Sequence, residues 1–217
     1  MMEGINWEEV TAQANSIETY LGDLRDSIFS CFQDFAEELS YYWASGNAIT
    51  FGEKLKSNVE SFRTFTQNVQ EEIKSMIKHA AEIYSNRFNV QNGIGNIDTW
   101  DHSVVPYMTF DNPFRAIHTF SFTTGMNKTA VDECCDIYKE KIKTSADDIK
   151  SKIESIHLSI FDTANVQKDA FDKRIKEAIS YINRLLDNTL EEIYKSKEEE
   201  KDNLNLAKQQ TVNTFSA

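Results

Sequence analysis

Glycine, proline and cysteine are all scarce in this chain. Seven Gly and two Pro among 217 residues are too few turn formers for an all-β architecture, whose many short connections depend on them. The three cysteines, Cys31, Cys134 and Cys135, are odd in number and include an adjacent pair, which makes no disulfide framework. They read as free thiols in or near the core of a protein folded in a reducing compartment. Basic charge is short as well: 23 Lys and Arg face 35 Asp and Glu, for a formal net charge of −12. That balance repels phosphate backbones and excludes nucleic acid as an expected partner. It also disfavours adsorption to anionic lipid. Long apolar runs are missing, so no membrane-spanning helix is expected. The N-terminal MMEGINWEEV lacks a basic region followed by an apolar one, so export, if it occurs, needs a route other than a Sec-type signal peptide.

The inventory for catalysis is equally thin. The four histidines, His79, His102, His118 and His157, are scattered, and neither His-Glu-x-x-His nor Cys-x-x-Cys occurs. No glycine-rich loop is present to cradle a phosphate. Asp98, Asp101 and His102 lie close in sequence but read as solvated loop polarity. Cys134 and Cys135 lack a neighbouring basic cluster to activate them. The expectation is a protein that is not an enzyme and uses no cofactor or metal.

What the chain does have is helical periodicity. Trp7, Val10, Ala14, Ile17, Leu21, Leu24, Ile28, Cys31 and Phe35 recur at alternating spacings of three and four, with Leu39 and Tyr42 continuing after a slip. A second stripe of similar length follows through Ala48, Phe51, Leu55, Val59, Phe62, Phe65, Val69, Ile73, Met76, Ala80 and Ile83, ending near Arg87. Only Ala44 to Asn47 interrupts the two, so they must fold back as an antiparallel helical hairpin. A third stripe runs through Val131, Cys134, Tyr138, Ile142, Ala146, Ile149, Ile153, Ile156 and Ile160. The fourth runs through Val166, Ala170, Ile175, Ala178, Ile182, Leu185, Leu190 and Ile193. FDTAN, residues 161–165, marks the break between these two, with Asp162 or Thr163 as N-cap. One continuous helix is the alternative, since no Gly or Pro enforces the break.

Residues 88–127 differ: both prolines, Pro106 and Pro113, fall here with Gly93, Gly95 and Gly125. VVPYMTF and AIHTFSFTT flank the turn-like DNP, a pattern open to a β-hairpin or to an irregular connection; Pro106 would confine a strand there to an edge. The predicted fold class is all-α, an elongated four-helix bundle of two long hairpins. Its predicted parts are a first hairpin at 1–87, a connecting loop or β-hairpin at 88–127, and a second hairpin with a fraying C-terminus at 128–217. A faint echo between LSYYWASGNAITFGEKLK and LSIFDTANVQKDAFDKRIK is consistent with two hairpins in tandem.

The tip of the first hairpin, Tyr41 to Leu55, carries the most specific signal. On packing alone, Trp43 closes the gap where two helix axes diverge, Gly46 supplies a positive φ, and Ala48 and Phe51 start the returning stripe. Trp43-Ala44-Ser45-Gly46 followed by Phe51 also resembles the Trp-x-Gly turn of the WXG superfamily, with one extra residue. These small helical hairpin proteins are exported by type VII secretion. The chain's length is similar to two fused hairpins, or to the LXG-type targeting domain that heads type VII toxins. The resemblance implies a second element, a Tyr-x-x-x-Asp/Glu signal near the end of a helical hairpin, which Tyr194-Lys195-Ser196-Lys197-Glu198 matches. Trp43, Gly46, Phe51, Tyr194 and Glu198 are therefore the candidate recognition residues. The implied partner is a type VII apparatus or a cognate helical protein. The implied protein is made in a bacterial cytoplasm and exported, as a monomer or weak homodimer. The competing reading is a pore-forming or membrane-acting protein in which residues 100–125 form an inserting tongue. A third is a coiled-coil scaffold.

Overall fold

The computed structural model describes residues 5–95, 97, 109–117 and 125–202. Among them, four long helices carry the fold: α1 (Trp7–Ser40), α2 (Gly46–Phe88), α4 (Lys128–Glu154) and α5 (Asn165–Glu199), with a one-turn α3 at Phe114–Ile117. The only strands among the described residues are β1 (Trp43–Ala44) and β2 (Gly125–Met126), which pair antiparallel with Trp43 opposite Met126 and Ala44 opposite Gly125. The chain is all-α, as its periodicity predicts.

Most of the first stripe is buried: Val10, Ala14, Ile17, Leu21, Leu24, Ile28, Cys31, Phe35 and Leu39 all face inward. The second stripe holds from Ala48 to Ile73 except at half-buried Phe65, then slips, with Ile77 and Ala81 buried while Met76 and Ile83 are only half covered. A straight helix at 3.6 residues per turn drifts away from a strict seven-residue repeat over several heptads, and α2 is long enough to show it. The helix ends in a left-handed Asn89 at φ 51°, with the Val90 amide donating to the Ser85 carbonyl at 3.1 Å, the hydrogen bond of a Schellman cap.

Contacts divide the chain into two compact units, each drawing a stretch from all four long helices. The first comprises residues 1–26, 63–108 and 146–181. In it Trp7 meets Tyr84 edge to face at 5.8 Å, Phe65 stacks on Tyr181 at 4.8 Å, and Arg174 forks onto the Glu72 carboxylate while also reaching Glu177. The contact of Trp7 with Tyr84 joins the start of α1 to the end of α2, the antiparallel return expected of a helical hairpin. The second unit comprises residues 27–62, 109–145 and 182–217. There Phe35 stacks on Tyr138 at 5.2 Å, the Tyr138 hydroxyl donates to Glu38 at 3.1 Å, and Lys141 pairs with Asp34 at 3.0 Å.

Several local expectations are corrected. The helices α4 and α5 are separate, so the continuous-helix alternative fails: the chain leaves α4 at Glu154 and passes through a 3-10 turn at Ser159–Thr163 before α5. Neither Asp162 nor Thr163 caps α5. The Gln167 and Lys168 amides of its first turn donate to the Ala164 carbonyl, while Thr163 Oγ1 donates back to Ile160 and Asp162 faces His157 at 3.4 Å. Val166 is 77% exposed and Ala170 only half buried; Phe171 takes the inward position at the start of α5. The candidate β-hairpin over residues 104–124 falls mainly outside the described residues. Within them Ala116 and Ile117 are helical, and the strand at Gly125–Met126 pairs with the Trp43 turn.

Candidate functional site

The turn between α1 and α2 sits within the second unit. After Ser40 the helix tightens, with the Tyr41 and Tyr42 amides donating three residues back to Glu38 and Leu39. The backbone then extends through Trp43 and Ala44, and Ser45 restarts the helix as an N-cap: its Oγ accepts the Ala48 amide at 3.1 Å. That hydrogen bond satisfies one of the orphan donors of the first turn. Gly46 is the first residue of α2. The expected positive φ at Gly46 is absent, since among described glycines only Gly125 has one, and a β-carbon at Gly46 would meet nothing within 4 Å. Serine capping does the work assigned to the glycine.

Trp43 is fully buried. Its indole lies 5.3 Å from the Phe51 ring and 5.9 Å from Phe114, and those two rings meet edge to face at 5.7 Å. The three rings form a closed aromatic cluster, a geometry worth about 0.5–1.5 kcal/mol per pair beyond burial. Phe114 arrives from the segment after DNP, which is fixed to α1 and α2 by polar contacts. Gln33 exchanges two hydrogen bonds with the Asp111 backbone. The Asn112 amide donates to the Ile49 carbonyl at 3.1 Å and to Glu53 Oε1 at 2.9 Å. Arg115 Nε reaches the same Glu53 oxygen at 2.8 Å. The Asn112 hydrogen bond, followed by the charge of Arg115, holds the Glu53 carboxyl below its usual range. Phe110 is also fully buried, 6.2 Å from Phe29. This part of the segment expected as a membrane tongue is thus packed inside, and no helix among the described residues is long and apolar enough to cross a membrane.

The buried indole N–H faces the end of α5. Trp43 Nε1 lies 3.1 Å from both Ser45 Oγ and Glu200 Oε1, and Ser45 Oγ donates to the same Glu200 oxygen. Beside them the Met126 amide donates to the Lys201 carbonyl at 2.9 Å, Met126 bridges to Asp202, and the Asn127 amide donates to the Tyr42 carbonyl at 2.8 Å. Lys197 pairs with Asp132 on α4. Three distant stretches of sequence, around residues 43, 126 and 201, therefore meet at one point.

Of the five predicted residues, Trp43 and Phe51 touch each other inside the unit and Gly46 begins the adjoining helix. Tyr194 is 44% exposed and Glu198 is exposed. Burial of its covered side, then the nearby Cys135, Asp136 and Asp132, raise the Tyr194 phenol above its ordinary value. The helix carrying these two residues ends on the Trp43 turn, but the contact is made by Glu200. Sequence reasoning missed Glu200, Asn112 and Phe114. Ser45 was legible as an N-cap, whereas Glu200 is one of three consecutive glutamates with no distinguishing signal. A groove of about 320 Å³ lies beside Phe51, Leu55, Thr189 and Lys195, with Lys54 paired to Glu192 at 2.9 Å on its lining. Asp98, Asp101 and His102 lie outside the described residues.

No protein-family model, curated protein or solved structure matches the chain.

Proposed function

We propose that this chain is a non-enzymatic interaction protein of WXG or LXG character, made in a bacterial cytoplasm and exported through a type VII apparatus. It serves as substrate, targeting domain or co-secreted partner. One observation supports this reading above the others: the α5 end bearing Tyr194 and Glu198 terminates on the Trp43 turn, so the two sequence elements named by the resemblance lie at the same end of one unit. Tyr194 and Glu198 present exposed side chains, while Trp43 is buried and meets Glu200 of the same helix end. The indole contributes by positioning the helix end, and the exposed tyrosine and glutamate make the contact with the apparatus or with a helical partner.

The test is secretion from a host with an active type VII system and from the same host lacking its ATPase. The wild-type chain is expected in the medium only in the first. Tyr194→Ala and Glu198→Ala are expected to remain folded in the cell and to be lost from the medium. Undiminished export of both folded variants rejects the assignment.

A further inference from the structure

The contacts at Trp43 divide sharply by chemistry. Up to Ile193, α5 is held by buried apolar side chains; from Tyr194 to Asp202 not one side chain is buried. Apart from the covered side of Tyr194, the contacts that hold that last stretch among the described residues are polar: Lys197 on Asp132, the Glu200 carboxylate on Trp43 Nε1 and Ser45 Oγ, and the Lys201 carbonyl on the Met126 amide. Polar contacts of this kind exchange for water at small net cost, and elements with few buried apolar contacts open locally before the rest of a fold. The donors they leave behind are different. Without Glu200 the Trp43 indole keeps Ser45 Oγ as its acceptor, but the buried Ser45 hydroxyl loses its own, and a buried donor without an acceptor is costly.

We infer that the Trp43 turn is an exchangeable socket for an acidic, extended peptide segment, filled in this chain by residues 200–202. Its donors define the occupant. Trp43 Nε1 and Ser45 Oγ converge on one carboxylate oxygen, and the Met126 amide takes the backbone carbonyl of the following residue. The occupant is therefore a glutamate followed by a strand-like residue, and among the described residues Glu200 and Lys201 are recognised through polar hydrogen bonds. A charge-assisted pair of donors on one carboxylate is stronger than a neutral pair, so glutamate is preferred over glutamine. A segment from another chain with this chemistry can replace the resident one without disturbing α5 before Ile193.

The experiment uses the full-length chain and the blocked peptide YKSKEEEKD, the sequence of residues 194–202, with a control peptide carrying Ala at the Glu200 position. The probe is hydrogen exchange of the Trp43 indole N–H, its resonance assigned with Trp43→Phe. In the wild type the indole is expected to exchange slowly and to ignore the peptide. In Glu200→Ala it should exchange at least about tenfold faster, and the native-sequence peptide should slow it again while the control does not. Equal protection in Glu200→Ala without peptide, or equal action of the two peptides, overturns the inference. If Glu200→Ala loses its helical circular dichroism, Glu200→Gln, which keeps an acceptor oxygen, is expected to fold and to respond to the native peptide; no response from it overturns the inference as well. The measurement is made on purified protein, so failure of export leaves it untouched.

Discussion

The Asn112 side chain stands where a β-carbon on Gly52 would be: such an atom would lie 2.2 Å from Asn112 Oδ1. This is a close approach between a helix backbone and the segment that carries Phe114, and it makes Gly52 the glycine that matters in the stretch from Trp43 to Leu55. An alanine at an unconstrained helix interior stabilises by about 0.5–1 kcal/mol over glycine. At Gly52 the clash must expel Asn112 from the Ile49 carbonyl and Glu53, an overpacking that costs about 1–3 kcal/mol. Gly52→Ala is therefore expected to lower the urea midpoint of unfolding, whereas Gly46→Ala, with open space and no positive φ, leaves it unchanged or raises it.

Trp43 and Phe114 are expected to be coupled. Trp43→Ala should cost about 3–5 kcal/mol, the range for truncating a buried large aromatic, and Phe114→Ala a comparable amount. Because the rings touch, the double variant should lose less than the sum of the singles by roughly 0.5–3 kcal/mol. Additive losses in a chemical-denaturation cycle would show that the cluster does not act as a unit. Trp43→Phe keeps a ring but removes the N–H donor, and should cost far less than Trp43→Ala.

Much of this was readable from spacing. A heptad stripe such as Val10 to Phe35 is buried because a helix can hide only one seam, and the seam is written in the apolar residues themselves. The stripe misled where the helix was long or near its end. In α2 the accumulated drift left Met76 only half covered, and at the start of α5 Val166 stays exposed while Phe171 takes the inward position. The site was legible only in half. Trp43 announced itself as the large residue at a tight turn, while Glu200, Asn112 and Phe114 reach it from far along the chain, and no local pattern encodes a long-range polar partner.

Alkaline pH should destabilise the protein through its buried thiols. Burial pushes Cys134 and Cys135 from an ordinary 9.0 up to about 12, aided by Glu38 for the first and by Asp132 and Asp136 for the second. The folded form keeps these protons while the unfolded chain releases them, so the unfolded state binds fewer protons above pH 9 and stability falls with rising pH. The loss begins near 9.0 and runs toward about 12; below it the thiols contribute no slope. Denaturation midpoints taken between pH 7.5 and 10.5 should fall less steeply in a Cys134→Ala, Cys135→Ala variant. Tyr138, raised by burial and by its hydrogen bond to Glu38, adds to the loss above pH 10 in both.

Tyr194→Ala and Glu198→Ala should leave thermal stability nearly intact, within about 0.5 kcal/mol, as expected for exposed side chains away from the core. A drop comparable to that of Trp43→Ala would assign Tyr194 a packing role. It would also remove the reason for treating it as a contact residue.

The meeting of residues 43, 126 and 201 also orders events during synthesis. A ribosome releases the α1–α2 hairpin long before Glu200 is made; until then the Trp43 indole N–H has Ser45 Oγ but not the carboxylate, and β1 gains its partner strand only when Gly125–Met126 emerge. The emerging chain thus carries a Trp43 turn that lacks its carboxylate and closes it only once the end of α5 has cleared the exit tunnel. Any factor that recognises the open turn sees nascent chains, and any factor that recognises the closed one sees chains synthesised at least through Asp202.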